Sequence, residues 1–179
     1  MQPDQHTGLV ECVLFLENEP LDVDTLMRAT GLGRRALIEA LARLREVYSS
    51  APHGLELVEV AGGFTFSPKA NFWEPLKARY GKRNEGRLSR AALETLSIVA
   101  YSQPITRQEI ESIRGVSADG MIKLLLSRGI IREVGKRDAP GKPTQYGTTK
   151  EFLKMFRLSS IAELPKMDEL DKEKFEQGE

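Results

Sequence analysis

The sequence predicts a mainly α-helical fold with small β-hairpins, an α+β chain built twice in tandem on one plan. Three observations lead there: an internal repeat spaced by 84 residues, helix-period segments in each copy, and a change to period two after the third segment of each. With 179 residues and 40% hydrophobic composition, the chain can bury two small cores.

The repeat places NEPLDVDTLMRATGL (18–32) over SQPITRQEIESIRGV (102–116). Pro20 meets Pro104, Leu21 meets Ile105, Leu26 meets Ile110 and Gly31 meets Gly115. Apolar matches continue on both sides, with Leu9 on Leu93, Leu14 on Ile98, Leu37 on Met121, Ile38 on Ile122 and Leu41 on Leu125. Two copies of this length indicate a duplicated domain, because a solenoid repeats more often and at shorter spacing.

The first helix of each copy shows apolar residues three and four apart: Leu9, Cys12, Val13 and Leu16, then Leu93, Leu96 and Ala100. The second helix begins at Asp22 in one copy and at Thr106 in the other. Thr106 and Glu109 have capping-box spacing, and Ile105 with Ile110 matches a hydrophobic staple. Gly31 and Gly115 end these helices, because glycine tolerates the left-handed conformation of a helix stop. A third helix carries Leu37, Leu41, Leu44 and Tyr48, or Met121, Leu124 and Leu125. Then LELVEV, a Gly-Gly turn and FTF predict one hairpin, while IIREV, a long loop and TQYG predict the other. Helix, short extended segment, helix, turn, helix and hairpin is the order of a winged helix. The boundaries follow: a domain over 1–80 with a short helix at Phe72 to Tyr80, a basic linker over 81–90, a second domain over 91–160, and an acidic, disordered tail over 161–179.

Net charge is zero, but its sign varies along the chain. Residues 1–80 carry 8 Lys and Arg against 11 Asp and Glu, residues 81–157 carry 15 against 8, and residues 158–179 carry 3 against 7. The middle segment is the one suited to an acidic partner. A single cysteine, Cys12, allows no internal disulfide and fits a cytoplasmic setting. The run Leu9 to Leu16 is too short to span a membrane.

Little supports catalysis. His6 and His53 stand alone, Cys12 lies on an apolar helix, and no His, Cys, Asp and Glu cluster has metal-ligand spacing, so neither catalytic residues, nor a metal, nor a cofactor is expected. The stretch GKRDAPGKPTQYGTT (135–149) superficially resembles a phosphate loop. Five residues separate Gly135 from Gly141, though, and Pro143 stands where that loop needs a hydroxyl. It reads instead as the wing of the second copy. Direct DNA binding is the competing use of such a fold, with Arg34, Arg35, Lys136, Arg137 and Lys142 suited to phosphate contacts. The third helix of copy two argues against base reading, since Asp119 opens it and Lys123 and Arg128 are its cations.

Protein binding accounts for more. Beyond its stripe the first helix carries Val10, Leu14 and Phe15, more apolar surface than a domain of this size covers, so it packs on the other domain or on a second copy.

At LSRAALETLSIVAYSQPITRQEIESIRGV (88–116) and PGKPTQYGTTKEFLKMF (140–156) the sequence resembles the segregation and condensation protein B family, ScpB. The match is detailed in the second copy and looser in the first. It departs at Thr144 and Gln145, where the family tends to be apolar, and at Arg157, where glycine is common. The resemblance implies two winged-helix domains, a homodimer formed through the first, and binding of the kleisin ScpA in a condensin-like SMC complex that condenses and partitions chromosomes on the nucleoid. It places Val10, Leu14 and Phe15 at the dimer interface. Kleisin contact is expected at Tyr101, Arg114, Lys123, Tyr146, Phe152 and Phe156, and DNA contact is at most weak and non-specific. A winged-helix transcriptional regulator is the alternative.

Overall fold

The computed structural model describes residues 2–50, 52–80 and 88–165, a mixed α and β chain with two antiparallel sheets. The first half runs α1 (Pro3–Leu16), α2 (Val23–Thr30), α3 (Arg34–Ser49), β1 (Leu55–Val60), β2 (Gly63–Pro68) and α4 (Ala70–Tyr80). The second runs α5 (Arg90–Ser102), β3 (Ile105–Thr106), α6 (Arg107–Arg114), α7 (Asp119–Ser127), β4 (Ile131–Lys136), β5 (Thr144–Thr148) and α8 (Lys150–Phe156), with a 3-10 turn at Ile161–Glu163. Each half has its own hydrophobic cluster, one around Leu26, Leu37 and Leu44, the other around Leu96, Ile110, Leu125 and Phe152.

Local signals set the second helices. Asp22 caps α2 by accepting from the Thr25 N–H at 2.8 Å, and Thr106 and Glu109 form the expected capping box on α6. Gly31 and Gly115 stop them at φ 69° and 73°.

The extended segment before each second helix joins the hairpin. Ile105 and Thr106 pair with Tyr146 and Gln145, giving the order β3-β5-β4. In the first half this shrinks to a bridge in which Leu21 and Phe64 exchange backbone hydrogen bonds of 3.0 and 2.8 Å. The β1–β2 turn is Ala61–Gly62, both at positive φ, rather than the expected Gly-Gly. Gly63 belongs to β2 for a different reason: a Cβ there would meet the Pro20 carbonyl carbon at 2.8 Å.

The constant repeat spacing is corrected outside the second helices. Helix caps Asp22 and Thr106 lie 84 apart, but the helix ends Leu16 and Ser102 lie 86 apart and the helix starts Arg34 and Asp119 lie 85 apart. The connector from α1 to Pro20 is two residues longer than that from α5 to Pro104, and the turn into the third helix is one residue shorter. The facing residues shift accordingly. Val10 and Leu14 are the buried side of α1, with Val13 beside them, while Cys12 and Leu16 face outward. On α5, Leu93 is exposed and Ala92, Leu96, Val99 and Ala100 are buried. On α7, Ile122 and Leu125 are the buried pair, with Met121 and Leu124 half-buried. Stripes three and four apart exist on both sides of α1, and its packing against α3 selects the one containing Val10.

The linker segment 81–87 lies outside the described residues, and Ser89 and Arg90 belong to the start of α5. Residues 161–165 depart from the expected tail: they form the 3-10 turn, Leu164 packs on the second core, and the Pro165 carbonyl accepts from the Tyr101 hydroxyl at 2.9 Å. Residues 166–179 lie outside the described residues.

Candidate partner-binding surfaces

On α1, two of the three residues expected at a dimer interface are consumed by the chain's own core. Val10 is fully buried and Leu14 nearly so, whereas Phe15 is 81% exposed beside Leu16 at 74%. The outward apolar face of α1 is therefore Cys12, Phe15 and Leu16, one turn of helix. Two contacts brace the helix behind this face. The Tyr48 hydroxyl donates to Glu11, which holds that phenol above its ordinary pKa, and Arg43 donates to Asp4 at 3.3 Å.

The six second-half residues expected to contact a partner divide sharply. Phe152 is a core residue whose ring packs at 4.8 Å against Phe156, and Phe156 is the exposed member of the pair. Tyr146 sits on β5 opposite Ile105, packed on the core, and burial foremost raises its phenol pKa. Arg114 is the larger correction. Its side chain is only 5% exposed and spans the α6–α7 turn, donating to the Ser117 carbonyl at 3.1 Å and to Glu94 at 3.4 Å. Its Nε is buried without a hydrogen-bond partner among the described residues. The reach from α6 back to α5 turns an expected contact residue into a brace. Lys123 is exposed and pairs with Asp119 at 2.8 Å; that bond, ahead of the charge of Arg107, lowers the Asp119 pKa. Tyr101, Lys123 and Phe156, on α5, α7 and α8, are the ones left facing solvent.

Sequence reasoning missed a groove between the end of α5, β3 and α6, lined by Pro104, Ile105, Ser112 and Ile113 and crossed by Glu109 and Arg137. Ile113, on its α6 side, is more than half exposed. Arg137 of the wing donates to Glu109, so the wing closes one end. Glu109 is held at a pKa of about 2, by the Thr106 N–H first, then the Thr106 hydroxyl, then Arg137. The available signal was the capping-box carboxylate, which has a second oxygen free for a long-range partner.

The phosphate-contact candidates are mostly engaged. Arg34 lies 3.8 Å from Asp24, Arg35 bonds Glu39 at 3.0 Å, and Arg137 bonds Glu109. Lys136 and Lys142 are exposed on β4 and the wing loop. Arg107, at the head of α6, is shared between Glu111 at 2.9 Å and Asp119 at 2.6 Å. A helix whose opening charge is a carboxylate tied into such a network is poorly suited to lie against phosphates. Among the described residues no group of three His, Cys, Asp or Glu is placed to hold a metal ion, and no helix is long and apolar enough to cross a membrane.

A family profile described as segregation and condensation complex subunit ScpB matches residues 8–167. Segregation and condensation protein B of Moorella thermoacetica is 41% identical over 167 residues, covering 93% of this chain and 85% of that protein. Its counterpart from Desulforamulus reducens is 42% identical over 166 residues, covering 93% and 91%. A crystal structure of a dimer of the ScpB N-terminal domain complexed with an ScpA peptide aligns at 21% identity over 42% of this chain and 94% of that one, with a TM-score of 0.40.

Proposed function

The chain belongs to the ScpB family, and from that premise we propose that it acts as the kleisin-associated subunit of a bacterial SMC complex, binding ScpA and working in chromosome condensation and partition. The observation that carries this is the family match over nearly the whole described chain. The role is non-enzymatic. Residues 1–80 and 91–160 are two winged-helix domains whose hairpins serve as partner-facing structure rather than as DNA readers.

The homodimer forms through the outward face of α1. Cys12, Phe15 and Leu16 present an apolar turn that water exposes in the single chain and a second copy covers. ScpA binds across this dimer and the second domain, where Tyr101, Phe156 and the groove at Ile105 and Ile113 supply apolar contacts and Lys123 supplies charge for an acidic segment. Contact with the SMC ATPase is made through ScpA, which brings the protein to the nucleoid, and any DNA contact by Lys136 and Lys142 is weak and independent of sequence.

Light scattering after size-exclusion chromatography tests the reading, with this protein alone and then mixed with ScpA of the same organism. A dimer that forms a larger defined complex is expected. A protein that ignores ScpA yet binds one DNA sequence selectively in a salt-dependent way would replace the reading with that of a regulator.

A further inference from the structure

Three separate elements of the first half converge on one short helix of the second. Lys154 in α8 donates to Glu19, in the connector between α1 and α2, and to Glu151 at 2.9 Å. The Leu158 carbonyl, just past α8, accepts from the N–H of Ala61 at 2.8 Å, at the tip of the β1–β2 hairpin. Between them the Arg157 guanidinium lies over the Trp73 ring of α4, 5.8 Å from its centre. The receiving surface is itself one unit, because Gly63 packs on the Pro20–Leu21 backbone and holds the hairpin against the Glu19 connector.

The chain is shaped to present these groups. Arg157 stands at φ 56° and ψ 40°, the left-handed conformation that usually selects glycine. Its N–H bonds the Lys154 carbonyl at 3.3 Å and the Leu158 N–H bonds the Leu153 carbonyl at 2.9 Å. These are the paired bonds of a Schellman stop, and Leu153 and Leu158 both pack on the second core. This stop reverses the chain so that the Arg157 side chain and the Leu158 carbonyl both leave the second core and face the first half. A residue with a Cβ is disfavoured there, and the contact with Trp73 offsets the disfavour.

We propose that α8 and its stop form a latch, in which Lys154, Arg157 and Leu158 clasp Glu19, Trp73 and Ala61 and set how the two halves sit against each other. A partner touching both halves then meets surfaces at a fixed spacing, and one that needs them apart must break the clasp first. The ion pair is the salt-sensitive part, since its groups are partly exposed; the backbone bond and the ring contact respond less.

The test uses the full chain with Cys12→Ser, Glu19→Cys and Lys154→Cys, treated with a short bismaleimide and read by denaturing electrophoresis and peptide mass spectrometry. A link between positions 19 and 154 within one chain is expected, with its yield reduced when Arg157→Gly is added; glycine suits the left-handed position, so the fold is kept. Absence of the link, or a link only between two chains, would overturn the latch. Trp73 is the single tryptophan, so its emission reports the clasp directly. Arg157→Gly in the otherwise native chain should shift that emission to longer wavelength and increase its quenching by acrylamide. Unchanged quenching would remove Arg157 from the latch.

Discussion

Thr106 and Glu109 bond each other in both directions: the Thr106 N–H reaches the Glu109 carboxylate at 2.9 Å, and the Glu109 N–H reaches the Thr106 hydroxyl at 3.4 Å. The same carboxylate also receives Arg137 from the wing, so one residue caps α6 and anchors the hairpin to it.

The acid response follows from that arrangement. Glu109 titrates at about 2 in the folded protein, below its ordinary value of 4.5, so its contribution is complete above pH 4.5 and is lost as pH falls towards 2. Thr106→Ala removes the hydroxyl, the second of its partners, and keeps the leading N–H, so an NMR titration of the Glu109 carboxyl should show a midpoint moved part of the way up towards the ordinary value. Loss of the cap should lower stability by about 0.5–2 kcal/mol in denaturant. A titration midpoint unmoved in the variant would refute the part of the shift assigned to the Thr106 hydroxyl.

The two sides of α1 separate stability from association. Leu14→Ala empties core volume and should lower stability by about 2–5 kcal/mol in urea unfolding. Phe15→Ala should leave the stability of the single chain within about 0.5 kcal/mol, because the ring is solvated there. It should weaken the dimer by roughly tenfold or more, since burying a Phe contributes about 1.5–3 kcal/mol. Sedimentation of the two variants across concentration distinguishes these outcomes.

Adjacent glycines should behave differently. Gly63→Ala forces a Cβ to within 2.8 Å of the Pro20 carbonyl carbon, where backbone must move, and should cost about 1–3 kcal/mol. Gly62→Ala meets no atom but keeps φ at 75°, so about 1–2 kcal/mol of left-handed strain is expected, without displacement of the Leu21–Phe64 bridge. Denaturant midpoints give the energies, and amide exchange at Leu21 and Phe64 shows whether the bridge has moved.

Arg114 should matter to folding and not to ScpA. Arg114→Ala removes the donors holding the Ser117 carbonyl and Glu94, and should lower stability by about 1–3 kcal/mol. Glu94→Gln, at a half-exposed position, should change it by less than about 1 kcal/mol. Calorimetric affinity for ScpA should be unchanged by Arg114→Ala at a temperature where the variant is folded, and reduced by Phe156→Ala.

Much of the fold was legible because its signals are local. Asp22, Thr106, Glu109, Gly31 and Gly115 each act within a single turn, so their sequence context holds nearly all the relevant physics. The surfaces were less legible. Arg114 and Phe152 are residue types common at interfaces, and whether each faces solvent or core depends on what a neighbouring helix covers.

The sequence by itself determined the family, the duplicated order of elements and the stops and starts of the second helices. Tertiary structure alone decided which stripe of α1 turns inward, since both stripes are apolar at helical spacing and packing on α3, α2 and β2 distinguishes them. It also decided the slipped register of the two halves, because connectors of different length still deliver helices to equivalent packing positions. The pairing of Lys154 with Glu19, 135 positions apart, belongs to the same class. No local pattern encodes it, because the two residues lie in different halves and meet only in the tertiary fold.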